Sequence, residues 1–153
     1  MTMSQGFMTT VDASATGLGQ IGERDETIMR TGLKTLSASL VTADTLEVIV
    51  ENCGQVKLAD FDKWDIIIQY YDDSGSYRVV WLPYSASAPV ENEWGITWIR
   101  LSGAPEIFEP NVLNPGEYMM MTARLSPAVG ANTTNMVVAA TPSGIAASAY
   151  FSP

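Results

Sequence analysis

The sequence predicts a mainly β fold: an immunoglobulin-like β-sandwich of seven to nine strands preceded by a short N-terminal α-helix. Three observations predict it. Beyond about Leu33 the apolar residues recur with a period of two, the spacing that lines one face of a strand. Turn chemistry (Asn-Cys-Gly, Asp-Asp-Ser-Gly, Asn-Pro-Gly, Pro-Ser-Gly) punctuates the chain, with strands about every ten residues, as in sandwiches. The apolar residues are Val, Ile, Met and aromatic rather than Leu-rich, which suits a pleated, half-buried surface. At 153 residues and 46 % hydrophobic content, the chain has the size and composition of one globular domain.

The N-terminal part follows a different period. Met3, Phe7, Val11, Ala15, Leu18 and Ile21 recur at intervals of three and four and line one face of a helix. Gly17, Gly19 and Gly22 each cost about 1 kcal/mol relative to alanine, so the helix is expected to hold to about Ala15 and fray by Gly22. Residues 23–30 are a charged connector. The expected division is a helix and connector over 1–30 and a sandwich over 31–153.

Within the sandwich, Leu46, Val48 and Val50 alternate with Glu47, Ile49 and Glu51 and end at Asn52-Cys53-Gly54. Trp64, Ile66, Ile68 and Tyr70 share one face of the next strand. After Asp72-Asp73-Ser74-Gly75 the chain returns with Tyr77, Val79 and Trp81 on one face, so 64–82 reads as a β-hairpin. Trp94, Ile96 and Trp98 mark a further strand. Tyr118 to Leu125 follows the Asn114-Pro115-Gly116 turn, and Thr134–Thr141 and Gly144–Phe151 close the chain around Pro142-Ser143-Gly144.

Composition excludes several function classes. Eight basic against seventeen acidic residues give a net charge of −9, which leaves no electrostatic footprint for nucleic acid. Histidine is absent, removing the commonest general base and metal ligand. The lone Cys53 can form neither an internal disulfide nor a multi-cysteine zinc site. It reads as a small buried residue beside a turn, the alternative being a disulfide to another chain. No run of 18 apolar residues exists. Residues 1–30 have neither the basic start nor the apolar run of a secretory signal.

The remaining chemistry is sparse. Lys34, Lys57 and Lys63 sit in no recognised Ser–Lys spacing. Glu91 and Glu93 read as a solvated loop. Gly17-Leu18-Gly19-Gln20-Ile21-Gly22 lacks the preceding strand that a dinucleotide loop needs. Asp60, Asp62 and Asp65, or Asp72 and Asp73, offer oxygen ligands, but the spacing of a calcium loop is missing and a hairpin turn accounts for the latter pair. No catalytic, cofactor-binding or metal-binding residue is therefore expected.

An interaction surface is expected instead. Ile67 and Tyr71 make the second face of the 64–71 strand apolar, which marks either a covered central strand or an assembly surface. Met119 and Met121 carry the same ambiguity, since methionine-rich surfaces are adaptable binders. The tryptophans and tyrosines are read first as core. Trp94 and Trp98, with Tyr84, form the alternative, an exposed platform for carbohydrate or adhesion. Asn132-Thr133-Thr134 is an N-glycosylation acceptor pattern at Asn132.

The stretch Leu46–Gly54, the Lys57–Tyr70 segment with its Phe/Trp-Asp-rich approach to a strand, Leu113–Glu117 and Thr141–Phe151 together resemble the β-domain of archaellum pilin-like proteins, either an accessory subunit or an archaellin. The resemblance covers roughly residues 33–151. It implies an extracellular structural protein of an archaellum or type IV pilus-like machine, held by a hydrophobic helix upstream of Met1. It further implies self-association as a dimer or filament and contacts to envelope or motor proteins. The chain departs from the family pattern in lacking that hydrophobic helix, Met3–Ile21 fitting only its tail.

Overall fold

The structure is a computed structural model describing residues 32–101, 104–105 and 111–153; the expected N-terminal helix and connector lie outside the described residues. Among the described residues nine strands form two antiparallel sheets: β1 (Lys34–Thr42), β2 (Thr45–Glu51), β3 (Asp65–Tyr71), β4 (Tyr77–Leu82), β5 (Glu93–Leu101), β6 (Ala104–Pro105), β7 (Tyr118–Arg124), β8 (Asn135–Ala140) and β9 (Ala146–Phe151). The five-stranded sheet runs β1-β2-β7-β5-β6 and the four-stranded sheet β4-β3-β8-β9. A 3-10 turn, Phe61–Lys63, leads into β3.

The core is where the two period-two faces meet. Leu46, Val48 and Val50 of β2 lie beside Met119, Met121 and Ala123 of β7. Across the sandwich stand Ile66, Ile68 and Tyr70 of β3 with Val137 and Ala139 of β8. The β2 and β3 sets are the alternating ones the sequence marks out, and the 64–82 hairpin forms as expected, with Tyr71 opposite Tyr77 and Ile66 opposite Leu82.

Bulges account for the departures. In β5, Ile96 pairs with Met121 and Trp98 with the adjacent Met120, so Thr97 is an extra residue. Such an insertion inverts the alternation beyond it. Trp94 and Ile99 therefore face the core while Trp98 turns to the outer side, so Trp94, Ile96 and Trp98 do not share one face. β1 carries two register shifts, between Thr35 and Ser37 and between Leu40 and Thr42. They leave Leu36 and Val41 exposed and erase the period that would have announced the strand.

Buried polar side chains fasten the ends. Asn52 is fully buried; its amide donates to the carbonyls of Val56 and Leu113 at 2.9 and 2.8 Å, and its side-chain oxygen accepts from the Gly54 N–H. The Asn52 and Gly116 backbones complete the latch, Asn52 N–H donating to Glu117 and Gly116 N–H to Asn52. The turn after β2 and the turn before β7, far apart in sequence, thus become one structural unit. Asn135 does the same for the other sheet, accepting from Tyr71 N–H and donating to Thr133 and to the Phe151 carbonyl. Cys53, expected inside, is exposed, because its neighbours Asn52 and Gly54 turn inward to make the latch.

Candidate interaction surface

The two sheets differ in what they show to solvent. On the outer side of the five-stranded sheet, charges are interleaved with apolar groups. Lys34 lies 4.0 Å from Glu51, Arg124 lies 3.7 Å from Asp44, and the Arg100 guanidinium stacks 3.6 Å over the Trp98 ring. This is an ordinary solvated sheet face.

The outer side of the four-stranded sheet is different. The registers place Trp81, Ile67, Val138 and Ser148 in one row across β4, β3, β8 and β9. Val79, Gln69, Met136 and Tyr150 make the next row, and Tyr77 stands beside Tyr71 in a third. Trp81 and Tyr77 are each 55 % exposed, Val79 is 60 % and Tyr150 73 %. The Tyr71 and Tyr77 rings lie 5.1 Å apart, tilted by 53°, an edge-to-face type of contact that fixes both rings. A hollow of about 260 Å³ lies between Tyr71, Tyr77, Met136 and Tyr150. The polar groups within the face are engaged: the Tyr77 hydroxyl donates to Gln69 at 3.2 Å and the Trp81 indole N–H donates to Asp65 at 3.0 Å. Asp65 is the acidic group that borders these rows.

Asp72 holds the hairpin that presents this face. Its buried carboxylate accepts from the Ser74 N–H and hydroxyl, the Ser76 N–H and the Arg78 guanidinium. The Ser74 hydroxyl first, and then Arg78, hold its carboxyl well below the usual carboxylate range. The hydrogen bond to Asp72 in turn raises Arg78 further above its already high value. Asp72 is thus a turn anchor satisfied by protein donors. Burial pushes the Tyr70 and Tyr84 hydroxyls up; Tyr70 donates to the Pro127 carbonyl at 2.8 Å, beside the cis Ser126–Pro127 bond.

The expected interaction residues divide between surface and core. Ile67 and Tyr71 lie on the apolar outer face, Ile67 half-buried and Tyr71 exposed. Trp98 is half-buried on the outer side of the other sheet. Trp94, Met119 and Met121 are in the core, because the inner faces of β5 and β7 supply the wall opposite β3. The alternative platform of Trp94, Trp98 and Tyr84 does not form. Trp94 is buried against Tyr84, ring centroids 4.9 Å apart, and Trp98 points to the opposite side of the sheet. Conversely, Tyr77 and Trp81, read as core, are surface residues, since β4 lies at the sheet edge and only its Leu82 end is fully buried. Asn132 is exposed, in a left-handed conformation at φ 60°.

Elsewhere the described surface holds two further depressions. A depression of about 500 Å³ is lined by Ala86, Ser87, Pro89, Ile96, Thr97 and Thr122, none of which titrates near neutral pH. Another, of about 350 Å³, holds Asp60 and Asp62 beside Phe61 and Tyr84.

No protein-family model and no curated protein matches the sequence. Solved structures do match the fold. The archaellum periplasmic stator protein FlaG from Sulfolobus acidocaldarius superposes with a TM-score of 0.58 at 20 % identity, covering 79 % of this chain and 99 % of that one. Its FlaF–FlaG complex gives 0.57 at 20 % identity over 78 % and 87 % of the two chains. The fold is that of the archaellum β-domains. The archaeal flagellin FlaB1 from Methanocaldococcus jannaschii, at a TM-score of 0.56 and 14 % identity over 80 % of this chain and 90 % of that one, extends the likeness from stator to filament proteins. In this chain the two motifs Leu46–Gly54 and Leu113–Glu117 meet at the Asn52 latch.

Proposed function

We propose that this domain is a non-enzymatic structural module of an archaellum-like machine at the cell surface, binding other subunits through the outer face of its four-stranded sheet. The observation that carries the reading is the apolar face itself. An acidic protein has set aromatic and aliphatic groups across all four strands of one sheet, with Asp65 at their border, while its other sheet face is laced with charge. Apolar surface of this extent, held on rigid strands, marks an interaction site. The archaellum-type fold supplies the setting, and anchorage comes from the N-terminal side of the sandwich.

The test is genetic and visual. Deleting the gene from its source organism is expected to abolish swimming or filament assembly, scored by electron microscopy and tracking, with recovery on re-expression. Normal filaments and normal swimming in the deletion strain overturn the reading. Asn132 is proposed as a glycan acceptor on the same extracellular module; its exposure supports this, and an unmodified intact mass from the native source refutes it.

A further inference from the structure

The hydrogen-bonding geometry at the edge of the four-stranded sheet is self-complementary. β4 pairs with β3 on one side, and among the described residues no strand pairs its other side. The Asp72 N–H donates to the Ser76 carbonyl at 2.9 Å, so that pair is a bonded one. Alternation along an antiparallel ladder then makes Arg78, Val80 and Leu82 the residues bonded to β3. Tyr71 agrees with this phase: its N–H goes to Asn135, and its carbonyl accepts from Gly130, both away from β4. Tyr77, Val79 and Trp81 therefore direct their N–H and C=O groups to the open edge. Their side chains are the exposed apolar ones of β4.

Elsewhere the edges differ: β9, the other edge of the four-stranded sheet, lies against β1. β1 is broken by two register shifts, and Ser85 and Pro83 exchange backbone bonds with Trp94 to cover the start of β5, whose far end is paired with β6. β4 has none of the usual protections: no proline, no lysine, and an unbroken register with β3. Its one charge, Arg78, belongs to the inner phase and is tied to Asp72.

We infer that β4 pairs antiparallel with β4 of a second copy about a two-fold axis at Val79, joining two four-stranded sheets into one. This register puts Val79 opposite Val79 and Tyr77 opposite Trp81 of the second copy, and Trp81 opposite its Tyr77. Each is a bonded position, and all the side chains lie on one face. It brings aromatic against aromatic across the strands, a favourable pairing, and places no like charges opposite one another in a chain of net charge −9. The apolar outer face becomes continuous over both copies. The pairing covers an edge only six residues long, small for a specific complex, so a weak dimer is expected. The inference rests on the proposed role as an assembly module and specifies its mode of self-association.

The test is sedimentation of the purified chain over roughly 1–500 µM. The expected result is a monomer–dimer equilibrium weakened at least about tenfold by Val79→Lys, which sets two cations together on the axis. Tyr150→Lys, on the same face but on β9 at the far side of the sheet, is expected to leave the equilibrium within about twofold. A disulfide trap gives the register. In a Cys53→Ser background, Val79→Cys should cross-link copies on mild oxidation, since bonded antiparallel partners lie about 5.5 Å apart at Cα, within disulfide reach. A chain monomeric at 500 µM overturns the inference, as does a dimer broken by Tyr150→Lys and not by Val79→Lys, which would indicate face-to-face packing. Lost swimming in the deletion strain, fully restored by the Val79→Lys chain, overturns the edge dimer while leaving the structural role standing.

Discussion

Trp64 and Trp94 isolate the value of one indole N–H. Both rings are buried, at 1 % and 0 % exposure, so replacing either by phenylalanine leaves a similar void and a similar transfer loss. Their polar ends differ. Trp64 donates to the Ala59 carbonyl at 2.9 Å, whereas the buried Trp94 N–H has no partner among the described residues. Trp64→Phe removes a hydrogen bond and strands a carbonyl, a penalty of about 1–3 kcal/mol above the void term. Trp94→Phe removes an orphaned donor, which offsets about 1–3 kcal/mol of its own void term. The Trp64 variant should therefore be the less stable of the two by about 2–6 kcal/mol. For a β-domain of this size that separates their melting temperatures by roughly 8–24 °C. Equilibrium urea unfolding followed by far-ultraviolet circular dichroism reads this difference without depending on the altered fluorophores. Equal stabilities, or a less stable Trp94→Phe, would refute the reasoning and mean that the Trp94 N–H has a partner.

Three further outcomes follow from the same geometry. Ile68→Ala, fully buried between Val80 and Val137, should cost about 2–5 kcal/mol, while Val79→Thr on the exposed side of β4 should stay within about 0.5 kcal/mol; denaturant midpoints check both. The depressed Asp72 carboxyl contributes stability that is present above its unfolded value of about 3.9 and is lost as pH falls through its lower folded value. The acid limb of the thermal melting profile should therefore flatten in Asp72→Asn. Gly130→Ala sets a Cβ onto the Asp72 carbonyl oxygen, where backbone must move; a loss of about 2 kcal/mol or more is expected, and wild-type melting behaviour would contradict it.

Where the sequence was easy to read, physics was local. Leu46–Glu51 and Trp64–Tyr71 alternate cleanly, and both strands have one face in the core. The Asp72–Gly75 turn is readable because the carboxylate needs only donors within six residues. β1 was not legible, because two irregularities break its period, and the β5 bulge at Thr97 leaves no mark that distinguishes it from regular alternation. The interaction surface was half legible. Ile67 and Tyr71 were visible as a second apolar face on β3, whereas Trp94, Met119 and Met121 looked equally suited to surface or core.

The sequence by itself determined the β class, the hairpin, the turn positions and the absence of histidine chemistry, since these depend on period, turn residues and composition along a short stretch. Only the tertiary structure decided which side of each strand is covered. Strand order makes β4 an edge and β3 and β8 central. Burial depends on neighbours far apart in sequence, so identical aromatic residues become core at Trp94 and surface at Trp81. The open β4 edge is likewise a property of which strands do not arrive, and no single segment encodes it.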